Sequence, residues 1–136
     1  MNKEYKDRLL SNVLDINMSL MEASHDFMRT ILDRGVVDSH FEFKIELLSM
    51  NMHLNLHMLG YGDKEIAENI LFYKQMGFSL AFGSVMETKG FESVRKNYME
   101  VLGNPSDESL KHIKRITDPI MDRYIGIFGI RSLKMH

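Results

Sequence analysis

Apolar residues recur along most of this chain at intervals of three and four, the period of an α-helix. Between Lys3 and Arg34, at about 100° per residue, Tyr5, Leu9, Leu10, Val13, Leu14, Ile16, Leu20, Met21, Phe27, Met28, Ile31 and Leu32 fall on one broad face. Asp7, Arg8, Ser11, Asp15, Glu22, Asp26, Arg29 and Asp33 fall opposite, so the segment reads as the surface helix of a bundle, closed by Gly35.

The punctuation after it predicts four or five more helices. "SHFE" from Ser39 has the form of a capping box, in which the Ser39 hydroxyl accepts from the Glu42 amide and the Glu42 carboxylate reaches back, and this helix runs to Gly60. Asp63 caps a third helix that breaks before Gly90, and "FESVRKNYMEVL" is a fourth that stops at Gly103. Asn104 with Pro105, then Asp118 with Pro119, each resemble a cap followed by a first-turn proline, which predicts a fifth and a sixth helix or one kinked helix. The expected architecture is all-α: residues 1–136 as one domain, a bundle of five or six helices.

The helix from Ser39 poses the main chemical question. Glu42, Glu46, Ser49, His53 and His57 share a sector of roughly 80°, while His40, Lys44, Asn51 and Asn55 make a second polar strip on the far side. Phe41, Ile45, Leu48, Met52, Leu56 and Leu59 fill one flank between these strips, and Phe43, Leu47, Met50 and Leu54 the other. Two apolar flanks predict neighbours on both sides, with the Glu42, Glu46, His53 and His57 strip as the enclosed edge and the Lys44 strip in water. His53 and His57, one turn apart, can direct two imidazoles at one divalent metal, with Glu46 two turns before them. "HLNLH" nevertheless lacks the glutamate of a zinc-protease motif, and no second Glu-x-x-His element completes a helical di-metal site. A solvated or partner-facing edge is the favoured expectation, ahead of a metal or small-ligand site and of a buried hydrogen-bond network, and no cofactor is predicted.

The third helix is apolar almost all round, leaving a narrow polar strip at Glu68, Gln75 and Ser79. Gly77, Ala81 and Ser84 cluster on one face, where another backbone can approach closely, either within the chain or across a dimer seam. "IMDRYIGIFGIRSL" is similarly apolar around Ile120, Tyr124, Ile127 and Phe128. Two helices that need cover on all sides are hard to satisfy in so small a chain, which predicts a homodimer through these surfaces.

Composition narrows the function classes. The absence of cysteine excludes a disulfide framework and thiolate metal sites, and the charged start "MNKEYKDRLL" is unlike a signal peptide. No apolar run reaches a membrane span, so a soluble, cytoplasmic protein is expected, with no membrane partner. Twelve methionines suit an adaptable core and a deformable binding surface. A formal net charge of -2 gives no global attraction to nucleic acid. The stretch from Phe91 to Thr117 loosely suggests helix-turn-helix, with Arg95, Lys96, Lys111, Lys114 and Arg115 facing phosphates, but Glu92, Glu100, Asp107, Glu108 and Asp118 balance them. With no nucleophile motif or phosphate loop, the pattern favours a binding or regulatory module acting through protein or small-ligand contacts over an enzyme. A metal-binding bundle and a DNA-binding regulator are the alternatives.

Overall fold

Five helices account for the chain: α1 (Lys3–Arg34), α2 (Ser39–Met58), α3 (Asp63–Lys89), α4 (Phe91–Leu102) and α5 (Glu108–Lys134). The structure, a computed structural model, describes residues 1–134, with side chains through residue 129. No strand occurs among the described residues, as the periodicity requires. His136 and the side chains from Ile130 onward lie outside the described residues.

The helix ends follow local chemistry, and several differ from the expectation, Asp63 among them: it is the first residue inside α3, whose N-cap is Gly62. Asn2 Oδ1 accepts from the Tyr5 amide at 2.8 Å to start α1, and Gly35 ends it in the left-handed region at φ 68°, its amide donating to the Ile31 carbonyl. α2 is capped one residue earlier than "SHFE" suggests: Asp38 Oδ1 accepts from the His40 amide at 2.9 Å, and the Glu42 side chain turns instead to the Ser109 hydroxyl. Asn104 and Pro105 lie in the loop, since the carboxylate that accepts from the Ser109 amide belongs to Asp107. Finally, α5 runs on through Pro119 as one helix. Its ring removes one backbone donor, yet Ile113, Ile116, Thr117, Ile120 and Met121 are all buried on the same side, and that burial holds the turns on either side together. α3 is likewise continuous to Lys89.

α1 is the spine, packing along α3, α2 and α4. Leu20, Ala23, Phe27, Met28, Ile31 and Leu32 join Phe78, Ala81, Phe82 and Val85 of α3 in the main core, which Val94, Tyr98 and Leu102 of α4 and Ile113, Ile116 and Met121 of α5 complete. A smaller core of Val13, Met52, Leu56 and Ile66 fastens the other end of α1 to α2 and α3. Between the two, α1 and α3 run parallel and approach most closely at Gly77. A Cβ added there would stand 2.3 Å from the Met21 carbonyl oxygen and 2.7 Å from Ser24 Cβ. Asn69 donates to Asn17 Oδ1 at 3.0 Å in the same seam, and Ser24 Oγ is buried there without a hydrogen-bond partner among the described residues.

α2 rests on α1 and α3 through one flank only. Ile45, Met52 and Leu56 are buried, whereas Phe43, Leu47, Met50 and Leu54 stand in solvent, so no neighbour covers the second flank among the described residues. α3 is also covered on fewer sides than its composition requires, with Leu71, Phe72 and Leu80 exposed. α5 packs on α3 and α4 but not on α2, which leaves a cleft between α2 and α5 with α3 as its floor. Among the described residues, no helix is long and apolar enough to cross a membrane.

The Gly77 contact generates a direct test. Gly77→Ala forces a methyl group against backbone atoms and should lower stability by about 1–3 kcal/mol. Gly126→Ala, at a helical position with open space around the new Cβ, should raise it by about 0.5–1 kcal/mol. Thermal or urea unfolding of the two variants checks the opposite signs.

Candidate functional site

The α2/α5 cleft has a volume of about 320 Å³ and draws its lining from three helices. Ile45 of α2, Phe78 of α3, and Ile113 and Ile116 of α5 make an apolar floor. Glu42 and Glu46 stand along the α2 wall, Lys74 on α3, and Glu108, Ser109 and His112 on the first turns of α5. A second hollow adjoins it, lined by Ala67, Ile70 and Leu71 along with Lys74 and His112, which therefore stand between the two.

Each polar group has a definite role at this rim. Glu42 accepts from the Ser109 hydroxyl, a direct bridge across the mouth between α2 and α5. Asp107 Oδ1 lies 2.7 Å from the same hydroxyl and 2.8 Å from the Ser109 amide, and these bonds hold its carboxyl below the usual range. Glu108 pairs with Lys111 at 3.3 Å. Lys74 differs from all of them. Its half-buried ammonium has no hydrogen bond or ion pair among the described residues; burial pushes its pKa below the usual 10.5, and the nearby charge of Glu46 offsets only part of this. Burial, then the charges of Lys74 and Arg115, hold His112 below its usual 6.5.

The four candidates on α2 divide between two places. Glu42, half-buried, and Glu46, exposed, line the cleft, so the strip is not the enclosed edge that its two apolar flanks suggest. His53 and His57 lie farther along the helix, both exposed, their rings stacked at a centroid separation of 6.2 Å and an interplanar angle of 7°. Among the described residues, no three His, Asp or Glu side chains converge as a metal site needs. The basic residues of α4 and α5 are interleaved with acids: Lys114 meets Asp118 at 2.6 Å, and Arg95 and Lys96 share a shallow hollow with Glu92 and Glu100.

The residues expected at a dimer seam are mostly used within the chain. Gly77 and Ala81 are buried against α1, and Ile120 is in the core. Tyr124 stacks on Phe82 and Phe128 on Phe91, both half-buried, while Ser84 is half-buried and Ile127 exposed. The close approach that Gly77 permits is thus made by α1. A separate polar network ties α4 to α5: the Tyr98 hydroxyl donates to Asp118 and lies 3.1 Å from Thr117 Oγ1, and burial followed by the Asp118 bond raises its pKa.

Sequence reasoning did not reach Lys74 and His112. Lys74 interrupts the apolar row of Ile70 and Phe78, four residues from each, and that interruption was the available signal. No protein-family model, curated protein or solved structure matches the chain.

The strained ionisation of Lys74 fixes a pH dependence. Its folded pKa lies below the unfolded value of about 10.5, so between those values the unfolded chain binds more protons, and stability rises with pH. Lys74→Met should therefore be more stable than the parent chain at neutral pH, and the difference should shrink as pH rises towards 10.5. Urea titrations of both proteins across that range measure it; a constant difference would show that the charge of Lys74 carries no burial cost.

Proposed function

We propose that this protein is a helical binding module that takes a small amphipathic molecule, an apolar body with an anionic head, in the α2/α5 cleft. The observation that carries this reading is the Lys74 ammonium, half-buried above an apolar floor and without an ion pair among the described residues. Of the carboxylates around it, Glu42 is engaged by Ser109 and Glu108 by Lys111, and the charge of Glu46 offsets the burial of Lys74 only in part. A ligand anion entering beside Lys74 supplies a further counter-charge, which favours the charged ammonium and offsets the cost of its burial. Ile45, Phe78, Ile113 and Ile116 then cover the apolar body, and His112 offers a hydrogen bond at the boundary with the adjoining hollow. A cavity of this size with an apolar floor and a few convergent polar groups has the character of a small-ligand site.

Octanoate is a suitable probe, since it has one carboxylate and a short chain. Titrated into the protein, it should shift the methyl resonances of Ile45, Ile113 and Ile116 saturably, and Lys74→Gln should weaken its binding about tenfold, or about 1.4 kcal/mol. Shifts confined to Leu47 and Leu54 on the outer face of α2, or equal affinity in Lys74→Gln, would contradict the proposal.

A further inference from the structure

The outer face of α2 carries an apolar surface with no partner among the described residues. Phe43, Leu47, Met50 and Leu54 are between 44% and 62% exposed, and Met58 beside them is 46% exposed. They stand directly opposite the buried Ile45, Met52 and Leu56, so the helix presents an apolar ridge to solvent. At ordinary side-chain areas of about 150–200 Å², the exposed fractions of these five residues amount to roughly 500 Å² of apolar surface per chain.

The spacing along this ridge is specific. Phe43, Leu47, Met50 and Leu54 are separated by four, three and four residues, the alternation of a coiled-coil seam, which one helix can satisfy only against another of the same pitch. We propose that the occupant is a second copy of this chain, its α2 packed antiparallel against the first across a twofold axis at the middle of the helix.

Three independent features select that register. When two copies of α2, each Ser39–Met58, overlap over their full length in opposite directions, Ser39 meets the partner's Met58, and the same alignment sets Phe43 against the partner's Leu54 and Leu47 against the partner's Met50. All four apolar layers are then filled. An antiparallel pair also brings like flanks together, so Glu46 comes alongside the partner's His53, and the symmetric contact repeats it. Carboxylate and imidazole complement each other there, whereas a parallel pair would face each layer with its own residue and leave Glu46 without a basic neighbour. Beyond the four layers, His57 meets the partner's His40, and these polar residues close the seam at each end. Two such faces cover about 1,000 Å² before the polar rim is added, the lower range of a specific interface. The seam differs from the α3 and α5 surfaces that composition pointed to, and it needs no occupant in the cleft.

Sedimentation of the full chain at micromolar concentration should report a dimer, and Leu47→Asp should convert it to a monomer with an unchanged helical circular dichroism spectrum. The natural absence of cysteine makes direction readable. An equimolar mixture of Phe43→Cys and Leu54→Cys chains should form a mixed disulfide dimer under mild oxidation, while neither variant cross-links to itself. Self-linking of Phe43→Cys, or a dimer that survives Leu47→Asp, would overturn the proposed seam. A monomeric parent chain would overturn it as well, including one that sediments with phosphatidylcholine–phosphatidylglycerol vesicles.

Discussion

Gly77 brings the backbones of α1 and α3 into contact, and the remaining helices are arranged around that contact. Its hydrogen faces the Met21 carbonyl and the Ser24 side chain, in a space that no Cβ fits. Helix pairs this close exclude solvent from the seam, so Ser24 and the Asn17–Asn69 pair are held in or beside an otherwise apolar contact. The parallel pairing of the two helices requires α2 to run back along them, and the short connections on either side of α2 permit nothing longer. Phe78 and Phe82, placed by the same approach, then become the surface on which α4 and α5 settle.

The cleft and the exposed ridge are two consequences of how α2 sits on that pair. Because α2 packs on α1 and α3 and meets α5 through the Glu42–Ser109 bond, its outer flank has no cover among the described residues, and because α5 packs on α3 and α4, the bodies of the two helices stand apart with Lys74 between them. Glu46 belongs to both regions, lining the cleft and flanking the ridge. The polar strip of α2 thus reaches both the proposed small-ligand cleft at its N-terminal half and the proposed pairing face along its length.

Periodicity made the helices legible, and the limits of α1 could be read from Lys3, Arg34 and Gly35 because its amphipathic pattern and its glycine agree. Local signals misled where burial competes with them. Asp118 and Pro119 have the form of a helix start, yet the buried row from Ile113 to Met121 carries the helix through. In the same way Asp38 and Ser39 are both competent caps, and a single carboxylate contact decided between them. On α2 the two apolar flanks are nearly equivalent in composition, so nothing local says which is buried; the satellite core around Met52 makes that choice. Glu42 and Glu46 could be picked out from spacing on one helix, but Lys74 and His112 lie on two others and converge with them only after folding.

If the α1–α3 pair is the unit on which the rest depends, stability should be distributed accordingly, and native-state hydrogen exchange resolves this residue by residue. Measured at a concentration where the chain is monomeric, the amides of Leu20–Leu32 in α1 and of Phe78–Met86 in α3 should exchange only by global unfolding and share one free energy. Those of α2 from Ile45 to Leu56, held by one flank and the smaller core, should exchange through a lower-energy opening that leaves α1 and α3 protected. Equal protection in all three helices, or an α3 that opens while α1 remains closed, would contradict the account.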